Sequence, residues 1–175
     1  RQGAGLNAMS LDFSPNGRAL AVGYGWYSGD VVGSVKIWDV ATGNEVKAFD
    51  GPKGGVNKLA FDPSGKHLAV AGSELVRIWD VETARIVREL KGHRKWVYCV
   101  SYSPDGQWLA TGGWDKTIKI RHARTGEEVL TIFAHEGFVY SLAFSPDSRS
   151  LISTSEDRSV RLWEIPSGQK LATFH

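Results

Sequence analysis

The sequence predicts an all-β protein made of four repeats of one four-stranded antiparallel unit. Two independent markers indicate this organisation, because each recurs four times with nearly one period. The first is a turn with the variants FSPNG, FDPSG, YSPDG and FSPDS. Its prolines are 48, 41 and 42 residues apart, at Pro15, Pro63, Pro104 and Pro146. The second ends a strand at Trp38, Trp79, Arg121 and Trp163, which are 41, 42 and 42 residues apart.

Each repeat is predicted to contain four short strands separated by turns. In the third repeat, four segments alternate in polarity or are rich in β-branched and aromatic residues, namely 96–103, 108–113, 117–123 and 127–133. The segments PDG, WDK and RTG between them supply the Pro, Gly and Asp that turns require. Four antiparallel strands in about 42 residues are typical of a propeller blade. We therefore predict a single domain, residues 1–175, with blades at 6–50, 54–91, 95–133 and 137–175.

Composition and charge restrict the class of protein. The 175 residues are 42% hydrophobic and 23% charged, which is typical of a globular chain. The 21 basic and 19 acidic residues give a net charge of only +2, too small to favour nucleic acid or an anionic membrane as the main partner. Cys99 is the single cysteine, so an internal disulfide is impossible, and we expect a reducing, cytoplasmic location.

Short dipeptides at fixed places in the repeat carry a family resemblance. The GH at 92–93, the WD at 38–39 and 79–80, and Asp115 in a turn resemble the WD40-repeat β-propellers. The regular spacing is similar to repeats that are appended to bacterial signalling proteins. The resemblance implies that the first strand of each blade is innermost and that the WD dipeptide ends the third strand.

The resemblance also implies a buried hydrogen-bond network of four structural residues in each blade. The fourth blade contains the full set, His135, Ser153, Asp157 and Trp163. The third blade retains His93, Thr111 and Asp115 but has Arg121 where Trp is expected, and the first two blades have Val32 and Ser73 at the Asp position. We therefore expect an intact network in the fourth blade only, where it would rigidify the packing.

Four blades raise the question of how the propeller closes, since rings of this family usually contain seven or eight. Two arrangements are open: two chains form an eight-bladed homodimeric ring, or the chain is a fragment of a larger propeller. We favour the dimer, and in either case the terminal blades are expected to present apolar faces. The predicted core residues are Leu11, Leu59, Val100 and Leu142, with Phe13, Phe61, Tyr102 and Phe144.

No constellation of residues predicts catalysis, a cofactor or a metal. His135, Ser153 and Asp157 are the residue types of a hydrolase triad, but Ser153 lies within the strand segment SLISTS and no G-x-S-x-G occurs. The five histidines form neither H-E-x-x-H nor a Cys/His pairing. The basic segment 85–95 is interpreted mainly as a solvated outer edge, although Arg94 and Lys95 are candidates for a binding face.

Aromatic residues mark the candidate binding face. Family alignment places Trp96, Tyr98 and Trp114 of the third blade, and Phe138, Tyr140 and Glu156 of the fourth, where such propellers contact their partners. Large rigid rings bury area at low entropy cost, which favours a hot-spot cluster. The alternative is that some of these rings pack against neighbouring blades.

The segment GYGWYSGDVVG, residues 23–33, lengthens the first blade. Gly23 and Gly25 fit the first two glycines of a dinucleotide fingerprint, but Ser28 occupies the third position and a strand follows. Pro15 to Trp38 spans 23 residues, against 17 in the third and fourth repeats, so the segment contains a six-residue insertion. Its Tyr24, Trp26 and Tyr27 are predicted to form a hairpin tip that either binds a partner or contacts a neighbouring blade or chain.

These observations favour a non-enzymatic protein- or peptide-binding scaffold or sensor, because a binding face is predicted and a catalytic site is not. The alternative is a purely architectural repeat module whose only partner is another copy of itself.

Overall fold

The computed structural model describes residues 7–25 and 32–175, and these residues form sixteen β-strands and no helix. The first eight strands are β1 Asn7–Phe13, β2 Ala19–Gly25, β3 Val32–Asp39, β4 Glu45–Lys53, β5 Lys58–Phe61, β6 His67–Gly72, β7 Leu75–Asp80 and β8 Arg85–Leu90. The others are β9 Val97–Tyr102, β10 Trp108–Gly113, β11 Thr117–His122, β12 Glu128–Phe133, β13 Val139–Phe144, β14 Ser150–Ser155, β15 Val160–Glu164 and β16 Lys170–Phe174.

Consecutive strands form four antiparallel sheets of four strands each, in the order β1 to β4, β5 to β8, β9 to β12 and β13 to β16. These sheets are blades one to four, and they confirm the predicted all-β architecture. Strand β1 contacts β5, β5 contacts β9 and β9 contacts β13. The first strand of every blade is therefore innermost, as the family resemblance implied.

The turn between the first and second strands explains why the proline marker recurs. In blade three, the Ser103 hydroxyl donates to Asp105 at 2.6 Å and accepts from the Trp108 backbone N–H at 2.8 Å. Gly106 has a φ of 71°, a left-handed conformation that glycine adopts without steric cost. The Ser, Asp and Gly of the sequence Ser-Pro-Asp-Gly thus each have a local reason to form this turn.

The aspartate of the WD dipeptide organises the turn that follows the third strand. In blade one, the Asp39 carboxylate accepts hydrogen bonds from both the backbone N–H and the hydroxyl of Thr42, at 2.7 and 2.8 Å. Asp80 and Thr83 make the same pair of bonds in blade two. Such a side chain satisfies backbone donors at a strand end, so the dipeptide is a turn signal.

The core consists of three apolar clusters, one between each pair of consecutive blades. Leu59, Val100 and Leu142 are buried in these clusters, as predicted, and Phe61 is buried with them. Tyr102 and Phe144 pack against the clusters while keeping part of their surface exposed. Each fully buried aliphatic side chain contributes about 1.5–3 kcal/mol, so the junctions between blades provide most of the hydrophobic stabilisation.

The prediction that Leu11 and Phe13 belong to the core is wrong. Leu11 is 61% exposed and Phe13 is 53% exposed, whereas their counterparts Leu59 and Phe61 are buried. The physical reason is that Leu59 and Phe61 pack against the preceding blade, and no sheet within residues 7–25 and 32–175 covers the equivalent side of blade one. We call this surface the first open face.

The opposite side of blade four is open in the same way. Ile152 and Phe174 occupy the positions of Ala110 and Ile132, which are buried between blades three and four. Ile152 is nevertheless an exposed residue, and Phe174 is 52% exposed. This surface is the second open face, and the expectation that terminal blades present apolar surfaces is confirmed.

The hydrogen-bond network predicted for blade four is complete. The Trp163 indole donates to the Ser153 hydroxyl at 2.8 Å, which lies 2.7 Å from His135 Nε2. The Asp157 carboxylate can only accept, so His135 Nδ1–H donates to it at 2.9 Å, and Nε2 of the neutral ring then accepts from the Ser153 hydroxyl. Burial lowers the pKa of His135, which favours this neutral form.

Blade three has an equivalent network, so the prediction that it is eroded is wrong. Arg121 replaces the tryptophan, and its guanidinium donates to Thr111 at 3.0 Å. Thr111 lies 2.8 Å from His93 Nε2, and His93 Nδ1 lies 2.9 Å from Asp115. A guanidinium carries several N–H donors, so it can replace the single indole N–H.

A nearby carboxylate compensates the buried charge of Arg121. Arg121 is 1% exposed, and it donates to Glu128 at 3.0 Å and to the Lys91 carbonyl at 2.9 Å. Lys119 donates to the other oxygen of Glu128 at 2.8 Å. Burial raises the pKa of Glu128, but hydrogen bonds from Lys119 and Thr131 outweigh this and hold it below its usual value. Buried charges require such partners.

Blade two lacks the network because Ser73 stands at the aspartate position and an apolar residue stands at the hydroxyl position. Val70 occupies in blade two the position that Thr111 and Ser153 occupy in the later blades. In each blade this position lies two residues beyond the one that pairs with Trp79, Arg121 or Trp163. The Trp79 indole N–H is consequently buried without a hydrogen-bond partner. Its ring instead stacks on Phe49, with centroids 4.4 Å apart.

This contrast predicts unequal effects of one substitution. Trp163→Phe removes a donor to Ser153, whereas Trp79→Phe removes an N–H group that has no partner. We expect Trp163→Phe to lower the free energy of unfolding by about 1 kcal/mol more than Trp79→Phe does. Urea denaturation of both variants measures the difference. Equal losses would mean that the indole hydrogen bond contributes nothing to stability.

A second prediction concerns Arg121. Arg121→Ala leaves Thr111 and the Lys91 carbonyl without their donor, and we expect it to lower the free energy of unfolding by about 3 kcal/mol. This value is toward the lower end for a broken buried pair, because Glu128 stays partly exposed. Arg121→Trp restores a donor to Thr111 but not to the Lys91 carbonyl, and should cost about 1 kcal/mol less than Arg121→Ala. Thermal and urea denaturation compare them, and a loss with Trp as large as with Ala would refute the equivalence of guanidinium and indole.

Candidate functional site

The five aromatic side chains predicted for the binding face form one connected cluster. Trp114 is the common member, with near-parallel rings at centroid distances of 5.6 Å to Trp96, 5.7 Å to Tyr98 and 4.9 Å to Phe138. Tyr98 also meets Tyr140 edge-on at 6.3 Å. We call these five residues the aromatic platform.

Strand ends in blade three bring Trp96 and Trp114 together. Trp96 precedes β9 and Trp114 follows β10, and the Trp114 N–H donates to the Trp96 carbonyl at 2.9 Å. A Cβ atom on Gly113 would lie 2.1 Å from that carbonyl oxygen. Only glycine permits this close approach of the two strand ends, so Gly113 is a positioning residue that sequence reasoning missed.

Blade four repeats this arrangement with different side chains. The Glu156 N–H donates to the Phe138 carbonyl at 3.0 Å, which is the same backbone bond that joins Trp114 to Trp96. The exposed Glu156 carboxylate lies beside the Phe138 N–H, at 3.5 Å. Glu156 therefore lies at the Phe138 end of the platform.

The platform is partly exposed. Tyr140 is 49% exposed, and the other four rings are intermediate between buried and exposed. The stacking of Trp114 on Phe138 and the contact between Tyr98 and Tyr140 cross the junction between blades three and four. The rings thus pack across neighbouring blades and also present surface to solvent, so the alternatives in the sequence prediction are not exclusive. Each aromatic pair adds about 0.5–1.5 kcal/mol beyond its buried area.

The first two blades contribute polar or small groups instead of rings. The Asn57 side chain donates to the Val97 carbonyl at 2.9 Å and so joins blade two to blade three. Tyr24 was predicted at a hairpin tip, but it belongs to β2 and pairs with Ser34. The prediction for Tyr24 is wrong because the pairing of β2 with β3 continues as far as this residue. Trp26 and Tyr27 lie outside the described residues.

Buried histidine–aspartate pairs hold the loops that enter the platform. Asp115 accepts from His93 and also from the Arg94 backbone N–H at 3.0 Å, and Asp157 accepts from the Glu136 N–H at the same distance. Burial raises the pKa of both carboxyl groups, but the hydrogen bonds they accept outweigh it and hold each well below its usual range. These aspartates therefore remain charged and fix the loop backbone near neutral pH.

The candidate triad residues do not have the geometry of a nucleophilic site. Ser153 is fully buried, and its hydroxyl is engaged by both His135 and Trp163. A catalytic serine needs an accessible oxygen at a sharp turn.

Burial also raises the pKa of the Cys99 thiol above its usual range, which disfavours the reactive thiolate. Within residues 7–25 and 32–175, the structure contains no helix that could span a membrane.

The four antiparallel blades define an all-β repeat protein of the propeller class. The family model described as WD domain, G-beta repeat matches residues 43–80, 84–121 and 126–164, well over half of the chain. The chain therefore belongs to the WD40-repeat family. Domains of this family are generally non-enzymatic and typically bind proteins or peptides. No curated protein matches the chain.

The matched repeats are offset from the blades by one strand. The match at 84–121 covers β8 of blade two and then β9, β10 and β11 of blade three. Each repeat thus contributes the outer strand of one blade and the three inner strands of the next.

Proposed function

We propose that this chain is a non-enzymatic protein- or peptide-binding scaffold and that the aromatic platform is its docking surface. The observation that carries the proposal is the stacking of Trp96 and Phe138 on Trp114, on a surface that remains partly exposed. Aromatic rings in this setting combine large contact area with little side-chain entropy to lose.

The framework around the platform supports the same role. Binding surfaces require side chains that are already held in place before the partner arrives. The Trp114–Trp96 backbone bond and the Asp115 and Asp157 hydrogen bonds provide such support from buried or half-buried groups. The platform is therefore pre-organised, and binding does not have to order it.

Removal of the platform rings tests this function. Trp96→Ala combined with Trp114→Ala should abolish capture of partners from a lysate of the source cell, with a loss of more than tenfold, because hot-spot rings commonly contribute about 2 kcal/mol or more each. Pull-down with quantitative mass spectrometry measures the loss. Undiminished capture of the same proteins would refute the platform as the docking surface.

Trp108→Ala is the matched control. Trp108 also is a partly exposed indole in a stacked pair, with His122 at 4.9 Å, but it begins β10 at the end remote from Trp114. It should leave capture unchanged. Circular dichroism melts of both variants establish that they fold, so that loss of capture in the platform variant alone is attributable to the missing rings.

The two open faces favour self-association as a second candidate function. The first open face exposes Leu11 and Phe13, and the second exposes Ile152 and Phe174. These are the two kinds of surface that pack together at all three internal junctions. Two copies joined head to tail at both faces would give an eight-bladed ring with two-fold symmetry. Self-association and binding at the platform use different surfaces, so both functions are compatible.

A charge on the second open face tests self-association. The wild-type chain should have twice the monomer mass of 19.2 kDa in light scattering. Phe174→Glu should weaken the dimer by about tenfold or more, because a carboxylate would be buried without a partner. Phe133→Glu is the control, since Phe133 is 88% exposed and also lies on an outer strand but belongs to neither open face. A wild-type monomer would refute the proposal.

A further inference from the structure

The loops that flank the aromatic platform carry opposite charges at equivalent positions. Arg94 in blade three and Glu136 in blade four each donate a backbone N–H to the turn aspartate of their own blade, at 3.0 Å in both cases. The identical bond shows that the two residues occupy the same place in successive blades. Their side chains are both exposed, so the platform has a basic residue near Trp96 and an acidic residue near Phe138.

Neighbouring residues extend this difference. Lys95 is exposed and immediately precedes Trp96, whereas its counterpart in blade four is Gly137. Glu156 is exposed beside Phe138, whereas its counterpart in blade three is Trp114. The Trp96 end of the platform is therefore positively charged and the Phe138 end is negatively charged.

These charges are available to a partner. Among the residues that the structure describes, the side chains of Arg94, Lys95 and Glu136 make no hydrogen bond or ion pair, and the Glu156 carboxylate has only the 3.5 Å contact with the Phe138 N–H. Lys116 and Arg158 are basic at matching positions in both blades, so they raise the positive charge at both ends without removing the difference. Asp115 and Asp157 are already engaged by their histidines.

The platform is long enough to separate two charged contacts. The ring centroids step 5.6 Å from Trp96 to Trp114 and 4.9 Å from Trp114 to Phe138, a span of at most 10.5 Å. An extended peptide advances about 3.3–3.6 Å per residue. Roughly three residues thus cross the rings, and the residues on either side of them reach the charged loops.

We propose that the aromatic platform binds an extended peptide with an acidic residue near Arg94 and Lys95, apolar residues on the rings, and a basic residue near Glu136 and Glu156. This inference rests on the proposed function and adds the chemistry and the orientation of the partner. The rings supply most of the affinity, and the opposite charges fix which end of the peptide lies on which blade, since complementary charges favour one register and disfavour the reverse.

An exchange of two residues tests the orientation. Arg94→Glu with Glu136→Arg moves the two charges to each other's position and leaves the net charge and the loop backbone unchanged. The wild-type chain and this variant are each used to select from a phage-displayed library of random peptides of about nine residues, at about 50 mM salt, where surface charges are weakly screened. Wild-type selection should enrich one order of acidic, apolar and basic residues, and the variant should enrich no order, because the retained Lys95 and Glu156 offset the exchanged charges at each end.

A defined peptide then gives the size of the effect. The peptide enriched by the wild-type chain is labelled, and its affinity is measured by fluorescence anisotropy. The exchange variant should bind it about five- to tenfold more weakly, since each reversed surface contact changes affinity by up to about fivefold. High salt should reduce the difference. Arg124→Glu with Glu127→Arg, in the turn at the remote end of blade three, is the control and should not change the affinity.

The outcomes separate this inference from the proposed function. If the exchange variant selects the same peptides as the wild-type chain, and that selection is lost in Trp96→Ala with Trp114→Ala, the charge-ordered partner is wrong while the docking surface is retained. If peptides enriched by the wild-type chain bind equally well without the two indoles, both proposals fail. A wild-type selection with no enriched sequence, or with no charge order, also overturns the inference.

Discussion

Packing of one blade against the next is the constraint on which the rest of this structure depends. Each four-stranded sheet has two faces, and the buried apolar residues divide into three clusters that lie only between successive sheets. A single blade therefore cannot bury both of its faces. This requirement accounts for the repeated pattern of Leu59, Val100 and Leu142, which lie on the innermost strands and contact the preceding blade. It also accounts for the exposure of Leu11 and Phe174, which have the right residue types for a junction that the described blades do not complete.

The junction between blades three and four also builds the candidate site. Strands β9 and β13 are neighbours, so residues at the starts of both strands meet at one rim. Trp114 stacks across this rim on Phe138, while Tyr98 meets Tyr140 slightly deeper along the same two strands. The packing that stabilises the junction and the packing that shapes the platform are thus continuous. A substitution in the platform changes the stability of the rim as well, and binding measurements on such variants need a matched measure of folding.

Much of the fold and of the site could be predicted from the sequence, because periodicity reports what every repeat shares. The difficult residues were those whose contacts the repeat does not report. Arg121 breaks the tryptophan pattern, and only the three-dimensional arrangement shows that its guanidinium reaches Thr111 and that Glu128 neutralises it. Leu11 matches the core pattern, yet burial depends on a neighbouring sheet and not on the residue itself. Gly113 carries no side chain to attract notice, although the contact of its backbone with Trp96 requires glycine.

The two ends of the platform differ in charge although they are built on the same repeated backbone. The backbone hydrogen bonds that hold Arg94 and Glu136 are the same in two blades, so the fold itself does not distinguish one end of the platform from the other. The distinction comes from exposed side chains that the core does not constrain. Because such positions are not needed for packing, their charges can differ between blades at little cost in stability. A repeated scaffold can therefore hold aromatic rings by its shared architecture and orient a partner by the residues in which its repeats differ.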